Sequence, residues 1–554
     1  MPAVEGRRLP PTARRAAMSL AFVAGGVALM AAWLGLAIVD PRHVGWLLNG
    51  NDQGQNSLGL IAYLRAAPPW PSLHDRLLMA PEGLSVAMTD SNPLLAILLR
   101  PFAGVLPHDW QYAGLWLLSC LVLQLWFAWR LVRPFATDGW VALLGTALLA
   151  GTPVLFARYG HINLCAQWLI LWALGRFIDE CRVRQPVGWA AVLGLAGLIH
   201  PYLLVMVAAI WASAQLRLLV IDRDDRRRTI AGIALGLGVI VAMPAMIGFL
   251  DEPLASTGTY GAFNMALDAL WNAGNGGYSA LLPAASTSPA QGFEGMNYLG
   301  AGLLALALAV IATRFARPAD PSPPRGPSLR PLMWLLPAFA VLTLIAIGPH
   351  LIAGGTMLAS IKLPATIIDA LDPLRASGRM FWPAYYTIAF VVIATACRHQ
   401  VGRALLIFAL IVQLLDIGPM LAVTRMVSHN ASARPMFDRT PDPRWNTLIA
   451  GAASIEVHPY EAYRDLPVLE QIAWRAVTAC RPVPLRYFYA SREPRSVRQR
   501  MAADAASLAA GRIDPTRLYV FLKSPPPPGA PAQQIDGIWI IAPTKPLPPA
   551  STCT

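Results

Sequence analysis

The sequence predicts an α-helical polytopic membrane protein with a small α/β domain at its C-terminal end. Of its 554 residues, 55% are hydrophobic and only 14% charged, with a mean hydropathy of +0.47. That is more apolar surface than a soluble fold of this size hides in its core. Apolar runs recur at lengths suited to crossing about 30 Å of hydrocarbon. After residue 421 the pattern changes to short strand-like segments alternating with helical ones.

Residues 1–17 read as a cytoplasmic N-terminal tail bearing Arg7, Arg8, Arg14 and Arg15. The run from Met18 to Val39 is too long for a signal-peptide core and lacks a small-x-small cleavage site, so it is expected as the first helix. Further spans are expected near 110–129, 139–156, 163–179, 187–199, 201–219, 229–250, 296–313, 331–348, 381–397 and 404–420, about eleven in all within a transmembrane domain of 18–420. His200-Pro201 divides 187–199 from 201–219, which form either a tight pair or one broken helix.

With the N-terminus placed inside, Arg130, Arg133, Arg182, Arg184, Arg226, Arg227, Arg228, Arg398 and Arg403 fall on cytoplasmic segments. The opposite loops hold few basic residues although they are longer, which is the positive-inside bias. Residues 40–109 then form a long first periplasmic loop, and an odd number of spans puts 421–554 on the periplasmic side. The net charge of +13 follows from this flanking pattern. No basic stripe interleaved with aromatics is present, so nucleic acid is not expected as a partner.

The C-terminal domain is expected to hold strands at 454–458, 484–490, 518–522 and 538–542 and helices at 468–479 and 496–511, interrupted by the proline loop 524–531. It contains no GxGxxG and no P-loop. PADPSPPRGPSLRP at 318–331 reads as a stiff cytoplasmic linker. The cysteines show no metal-binding or redox spacing, but Cys480 and Cys553 lie outside the membrane region and could pair on an oxidising side.

Three outer segments hold the candidate site residues. In the first, NGNDQGQN places Asp52 close to the membrane, either as a helix or turn cap or as a catalytic acid. PEGLSVAMTDSNP adds a second acid, Asp90, which precedes Ser-Asn-Pro and an apolar run and therefore resembles a helix cap, with a second role left open. The second segment contributes His161 and His200 at helix ends, either as interfacial polar residues or as hydroxyl or phosphate ligands. With them stands a polar-aromatic stretch containing Glu294, Asn297 and Tyr298, whose composition suits a sugar or headgroup pocket. The third holds Lys362, Arg375 and Arg379. These either snorkel to anionic lipid or grip a phosphate with their forked donors.

NDQGQNSLGLIAYLR, PEGLSVAMTDSNPLLAIL, GHINLCAQWLILWAL, IHPYL, FEGMNYLG and LRASGRMFWPAYY resemble segments of a bacterial family within the GT-C superfamily of membrane glycosyltransferases. The resemblance covers roughly residues 20–420. It implies a GT-C-like fold in the bacterial inner membrane. The activity it implies is inverting transfer of a sugar from a polyprenyl-phosphate donor to a glycan, lipid or protein acceptor at the periplasmic face. Asp52 would act as the base, and Arg375 and Arg379, with Lys362, would stand near the donor phosphate. The first loop lacks a contiguous DD, DxD or ExD motif, so no divalent metal and no other cofactor is implied. Two other classes stay open: a transporter or flippase for an envelope lipid, and a non-catalytic envelope scaffold.

Overall fold

The computed structural model describes residues 11–221, 225–251, 253–254, 256–316 and 326–548. Most of the proline-rich stretch 318–331 and Cys553 lie outside the described residues. Cys480 is disulfide-bonded.

Among the described residues, seven helices are long and apolar enough to cross a membrane: Ala16–Trp33, Ala113–Phe135, Pro201–Ile221, Arg226–Met246, Arg330–Ile347, Ser377–Arg398 and Gly402–Ala433. The protein is thus a multi-pass membrane protein. The runs expected at 139–156, 163–179, 187–199 and 296–313 are shorter apolar helices: Gly139–Ala150, Ile162–Ile178, Pro186–Ile199 and Ala301–Thr313. The first of these is capped by Asp138, whose Oδ1 accepts the Trp140 and Val141 N–H groups at 2.8 and 3.0 Å. Such a cap contributes about 1 kcal/mol. Large apolar side chains such as Leu308, Val341, Leu344 and Leu415 are exposed along the helices. Water would penalise that surface, and lipid accommodates it.

Helix contacts rely on small residues. A Cβ on Gly26 would lie 2.5 Å from Val122 Cγ2, so the missing side chain lets the first helix pack against Ala113–Val132. The pair divided by His200 resolves into two helices, Pro186–Ile199 and Pro201–Ile221, packed on each other with His200 extended between them. The helix Gly402–Ala433 runs without a break through residue 421. Within it Asp416, fully buried, accepts hydrogen bonds from Tyr298 Oη at 2.6 Å, Ser279 Oγ at 2.5 Å and the Ala301 N–H at 2.9 Å. These donors repay the cost of burying a carboxylate and anchor residues 279–301 to the helix.

The C-terminal sheet runs in the order Ser454–His458, Arg517–Phe521, Ile538–Ile541, Gln533–Ile535. Its first pair is parallel, with Glu456 opposite Tyr519, and the others are antiparallel. The parallel crossover carries helices Leu466–Thr478 and Arg495–Ala509. Asp536 and Gly537, both at positive φ, close the last hairpin as a two-residue turn. The strand expected at 484–490 is replaced by isolated bridges, in which Leu485 pairs with Leu78 and with Ile455. Its N–H donates to the Leu77 carbonyl at 2.7 Å and its carbonyl accepts from Ala80 N at 2.8 Å, so this segment stitches the domain to residues 77–80. An ion pair between Arg500 Nε and Glu82 Oε2 at 2.7 Å reinforces the seam.

Candidate active site

The site begins with the helix Asp52–Ala66. Asn51, extended at φ −118° and ψ 163°, is the residue before it, and Asp52 takes the first helical position. The Asp52 carboxylate faces a histidine, with Oδ2 3.2 Å from His161 Nδ1. Asp52, Asn56, Gly59 and Tyr63 recur at spacings that put them on one helical face. A Cβ on Gly59 would sit 1.9 Å from Thr89 Oγ1 and 2.3 Å from Ser91 Oγ. Glycine is therefore what lets the second acidic segment cross this helix.

In that segment Asp90 adopts the left-handed conformation, φ 54° and ψ 14°, which aspartate tolerates better than most residues. Its carbonyl accepts Nδ2 of Asn163 at 2.7 Å and Nδ2 of Asn56. The expectation that Asp90 caps the following helix is corrected. Pro93–Leu99 is capped by Asn92, whose Oδ1 accepts the Leu95 N–H at 3.2 Å. Asn92 directly precedes Pro93 and so has the reach. The Asp90 carboxylate instead faces His200, Oδ1 to Nε2 4.0 Å. Nδ1 of His200 accepts the Tyr202 N–H at 3.2 Å, which assigns the ring proton to the nitrogen facing Asp90. Burial, joined by the charges of Arg379 and His161, holds His200 well below the usual histidine range.

His161 lies between two acids. Its Nε2 is 2.9 Å from Glu294 Oε1. Glu294 ends the short helix Pro289–Glu294 and accepts Nη1 of Arg158 at 2.7 Å and both Nε, at 2.7 Å, and Nη2 of Arg379. Arg158 is fully buried, with its guanidinium 4.6 Å from the Phe293 ring. Burial alone would push the Glu294 carboxyl up, but Arg379, Arg158 and His161 together outweigh it and hold it well below the carboxylate range. Asp52 goes the other way. Burial raises it, Asp90 and Glu294 add to the rise, and His161 and Arg379 oppose it without cancelling it.

Asp52, Asn56, Asp90, His161, Asn163 and His200 line one small pocket. Four residues singled out in the sequence thus share it, and Glu294 stands behind His161. The rest lie elsewhere. Arg379 has its fork closed on Glu294. Among the described residues, Arg375, half-buried, donates to neutral oxygens, Thr257 Oγ1 and the Ser491 carbonyl, each at 3.2 Å. Lys362 is exposed, just past the hairpin His350–Ser360. Asn297 donates to the Gly295 and Gly378 carbonyls, and Tyr298 to Asp416, so both hold the framework beneath the pocket. Among the described residues, no group of three His, Cys, Asp or Glu side chains is placed to hold a metal ion.

Sequence reasoning missed Asn56, Asn163, Arg158 and Glu470. Asn56 was detectable as the residue one helical turn after Asp52, and Arg158 as the residue three before His161. Glu470, on Leu466–Thr478 of the C-terminal domain, carried no signal. Its Oε2 accepts the Gly50 N–H at 2.7 Å, and burial pushes its carboxyl well above the usual range. The C-terminal domain therefore buttresses the loop that presents Asp52.

Fold and site together define a multi-pass membrane protein with a pocket of two acids and two histidines at one end of its helices, bordered by a C-terminal α/β domain. The chain belongs to the family of DUF6311, a domain of unknown function, which it matches over residues 23–418, and residues 444–543 match the DUF6311 C-terminal domain. No curated protein matches it. Among solved structures, it is similar to the apo crystal structure of the Archaeoglobus fulgidus oligosaccharyltransferase at 14% identity and a TM-score of 0.40, over 85% of this chain and 64% of that one. The chain thus spans less than two thirds of that protein's length. It is also similar to the archaeal oligosaccharyltransferase AglB from the same organism, in complex with an inhibitory peptide and a dolichol-phosphate, at 12% identity and a TM-score of 0.40, over 92% of this chain and 69% of that one.

Proposed function

We propose that this protein is an inverting GT-C glycosyltransferase of the bacterial inner membrane. It moves a sugar from a polyprenyl-phosphate donor to a glycan, lipid or protein acceptor at the periplasmic face. The observation that carries the reading is the state of Asp52. Its carboxylate is held by His161 at 3.2 Å, is made more basic by burial, and opens on a small polar pocket beside the membrane helices. A general base needs this combination of reach, raised affinity for a proton and a second group fixing its orientation.

In the proposed reaction Asp52 takes the proton of the acceptor hydroxyl as that oxygen attacks the anomeric carbon. The bond from carbon to the phosphate oxygen breaks, and polyprenyl phosphate leaves with the electron pair. A single displacement needs one base and no enzyme nucleophile, which gives inversion. Arg375 offers the departing phosphate a guanidinium that, among the described residues, is paired with no acid, whereas the charge of Arg379 is matched by Glu294. Glu294, held by two arginines, fixes His161, and His161 fixes Asp52. The N-terminus then lies in the cytoplasm and the C-terminal domain in the periplasm.

The test is mass spectrometry of envelope glycans and glycolipids from cells with and without the protein. A sugar lost on deletion and restored by the wild-type chain is expected. An unchanged envelope glycan profile, with the protein normally expressed, contradicts the proposal.

A further inference from the structure

The C-terminal domain reaches the pocket with a second set of side chains. Ser491 donates from both its N–H and its Oγ to the Met88 carbonyl, each at 2.8 Å, two residues before Asp90. This pins the segment carrying Tyr489 against the loop that carries Asp90. Tyr463 sits on a neighbouring turn, tied to the same segment through the Ala462 N–H, which donates to Tyr487 Oη at 2.8 Å. The Tyr463 and Tyr489 rings meet edge to face at 4.9 Å between centroids and an interplanar angle of 63°, and their hydroxyls are hydrogen-bonded. Tyr489 is half-buried and holds its place, but Tyr463 is 72% exposed, an aromatic face left open.

The position of that face is informative. Ser491, two residues after Tyr489, bonds the Met88 carbonyl in the loop that carries Asp90 and accepts Arg375 Nη2 on its own carbonyl at 3.2 Å, and Tyr463 beside it lies within electrostatic reach of Asp52, Asp90 and Arg375. Tyr489 likewise senses Asp52 and Asp90. On the reading given above, Arg375 marks the phosphate end of the donor and Asp52 the attacking hydroxyl. The group between a phosphate and the hydroxyl that displaces it is the transferred sugar. A sugar ring presents apolar C–H faces that pack on an aromatic ring while its hydroxyls turn to amides and carboxylates.

We propose that Tyr463, braced by Tyr489, is the platform on which the sugar ring of the donor packs. The C-terminal domain is then a structural part of the substrate site, and it discriminates sugar-bearing lipid from bare lipid phosphate. This inference rests on the donor class proposed above.

The test is binding of short-chain polyprenyl-phosphate hexoses, and of the same polyprenyl phosphate without sugar, to the full-length purified protein in detergent. The wild type is expected to bind one of the sugar-bearing lipids about tenfold more tightly than the bare phosphate. Tyr463→Phe keeps that preference, because the ring is retained. Tyr463→Ala loses it while still binding the bare phosphate as the wild type does, and its thermal stability stays at the wild-type level because the side chain is exposed. A Tyr463→Ala variant that keeps the preference overturns the platform and leaves the donor class standing. Loss of the preference in Tyr463→Phe also overturns it, because the hydroxyl and not the ring would then carry the contact. A wild type that binds none of these lipids, or binds all of them equally, overturns the donor class and this inference together.

Discussion

Replacing His161 and replacing Asp90 should move the acid limb of the pH–rate profile in opposite directions. The base works only when ionised, so rate rises with pH as Asp52 loses its proton. His161 favours the ionised form of Asp52, and Asp90 disfavours it. With the imidazole protonated, the 3.2 Å separation of His161 Nδ1 and Asp52 Oδ2 corresponds to about 1.3 kcal/mol at the dielectric constant of water and about 5 kcal/mol at an effective value near 20. Since about 1.4 kcal/mol is one pH unit, the lower figure already sets a displacement of about one unit. His161→Gln, which keeps the volume and removes the imidazole, should therefore shift the limb upward, by about one pH unit where the imidazole carries its charge. Asp90→Asn should shift it downward, because a like charge is lost. The assay is the initial rate of sugar transfer in isolated membranes across pH 4 to 9, with variant levels matched by immunoblot. A limb that stays put in both variants, or moves the same way in both, refutes the assignment of that limb to Asp52.

Three further outcomes follow from packing and charge. Arg158→Met leaves Glu294 buried with one arginine fewer and should cost about 3–5 kcal/mol of stability, read as a lowered unfolding temperature in detergent; an unchanged temperature would show that the pair is not buried as described. Gly54→Ala adds a Cβ 2.4 Å from Glu470 Oε1 and 2.8 Å from the Leu47 carbonyl, so it should destabilise by about 1–3 kcal/mol in the same assay, and full tolerance would contradict the contact between this helix and the C-terminal domain. Burial pushes Asp75 up to about 7, partly offset by the N–H groups of Leu77 and Leu78. A carboxyl raised in the folded state favours folding below its unfolded pKa near 3.8, and that contribution is lost as pH rises through 7, so Asp75→Asn should flatten the decline in stability over this range.

The sequence showed the class of fold plainly, because apolar runs and the change of pattern after 421 are local signals. It did not show which runs are long helices. The run 139–156 stops as a regular helix at Ala150, ahead of Thr152-Pro153, and 163–179 is a tight turn at Ile162–Cys165 followed by a helix from Trp168. Hydropathy measures apolarity and does not register such breaks. The pocket was half legible. Asp52, Asp90, His161 and His200 stood out as polar residues beside apolar runs, but nothing local says that Glu294 closes on Arg379, since 85 residues separate them. The same holds for the cap on Pro93–Leu99. Asp90, Ser91 and Asn92 are all capping residues, and only the geometry next to Pro93 selects Asn92. Leu485 reads as a strand residue by composition, yet its hydrogen bonds go to residues 77 and 80, a partner that no local pattern reveals.

The most direct test of the central claim is transfer of labelled sugar by membranes containing Asp52→Asn. The substitution keeps shape and removes the base, and general-base catalysis contributes about 10²–10⁴-fold, so the rate should fall by that factor. Expression and unfolding temperature should match the wild type, because the asparagine amide keeps the size of the carboxylate and its oxygen can still face His161 Nδ1. A well-folded Asp52→Asn protein that transfers sugar at the wild-type rate would contradict the account.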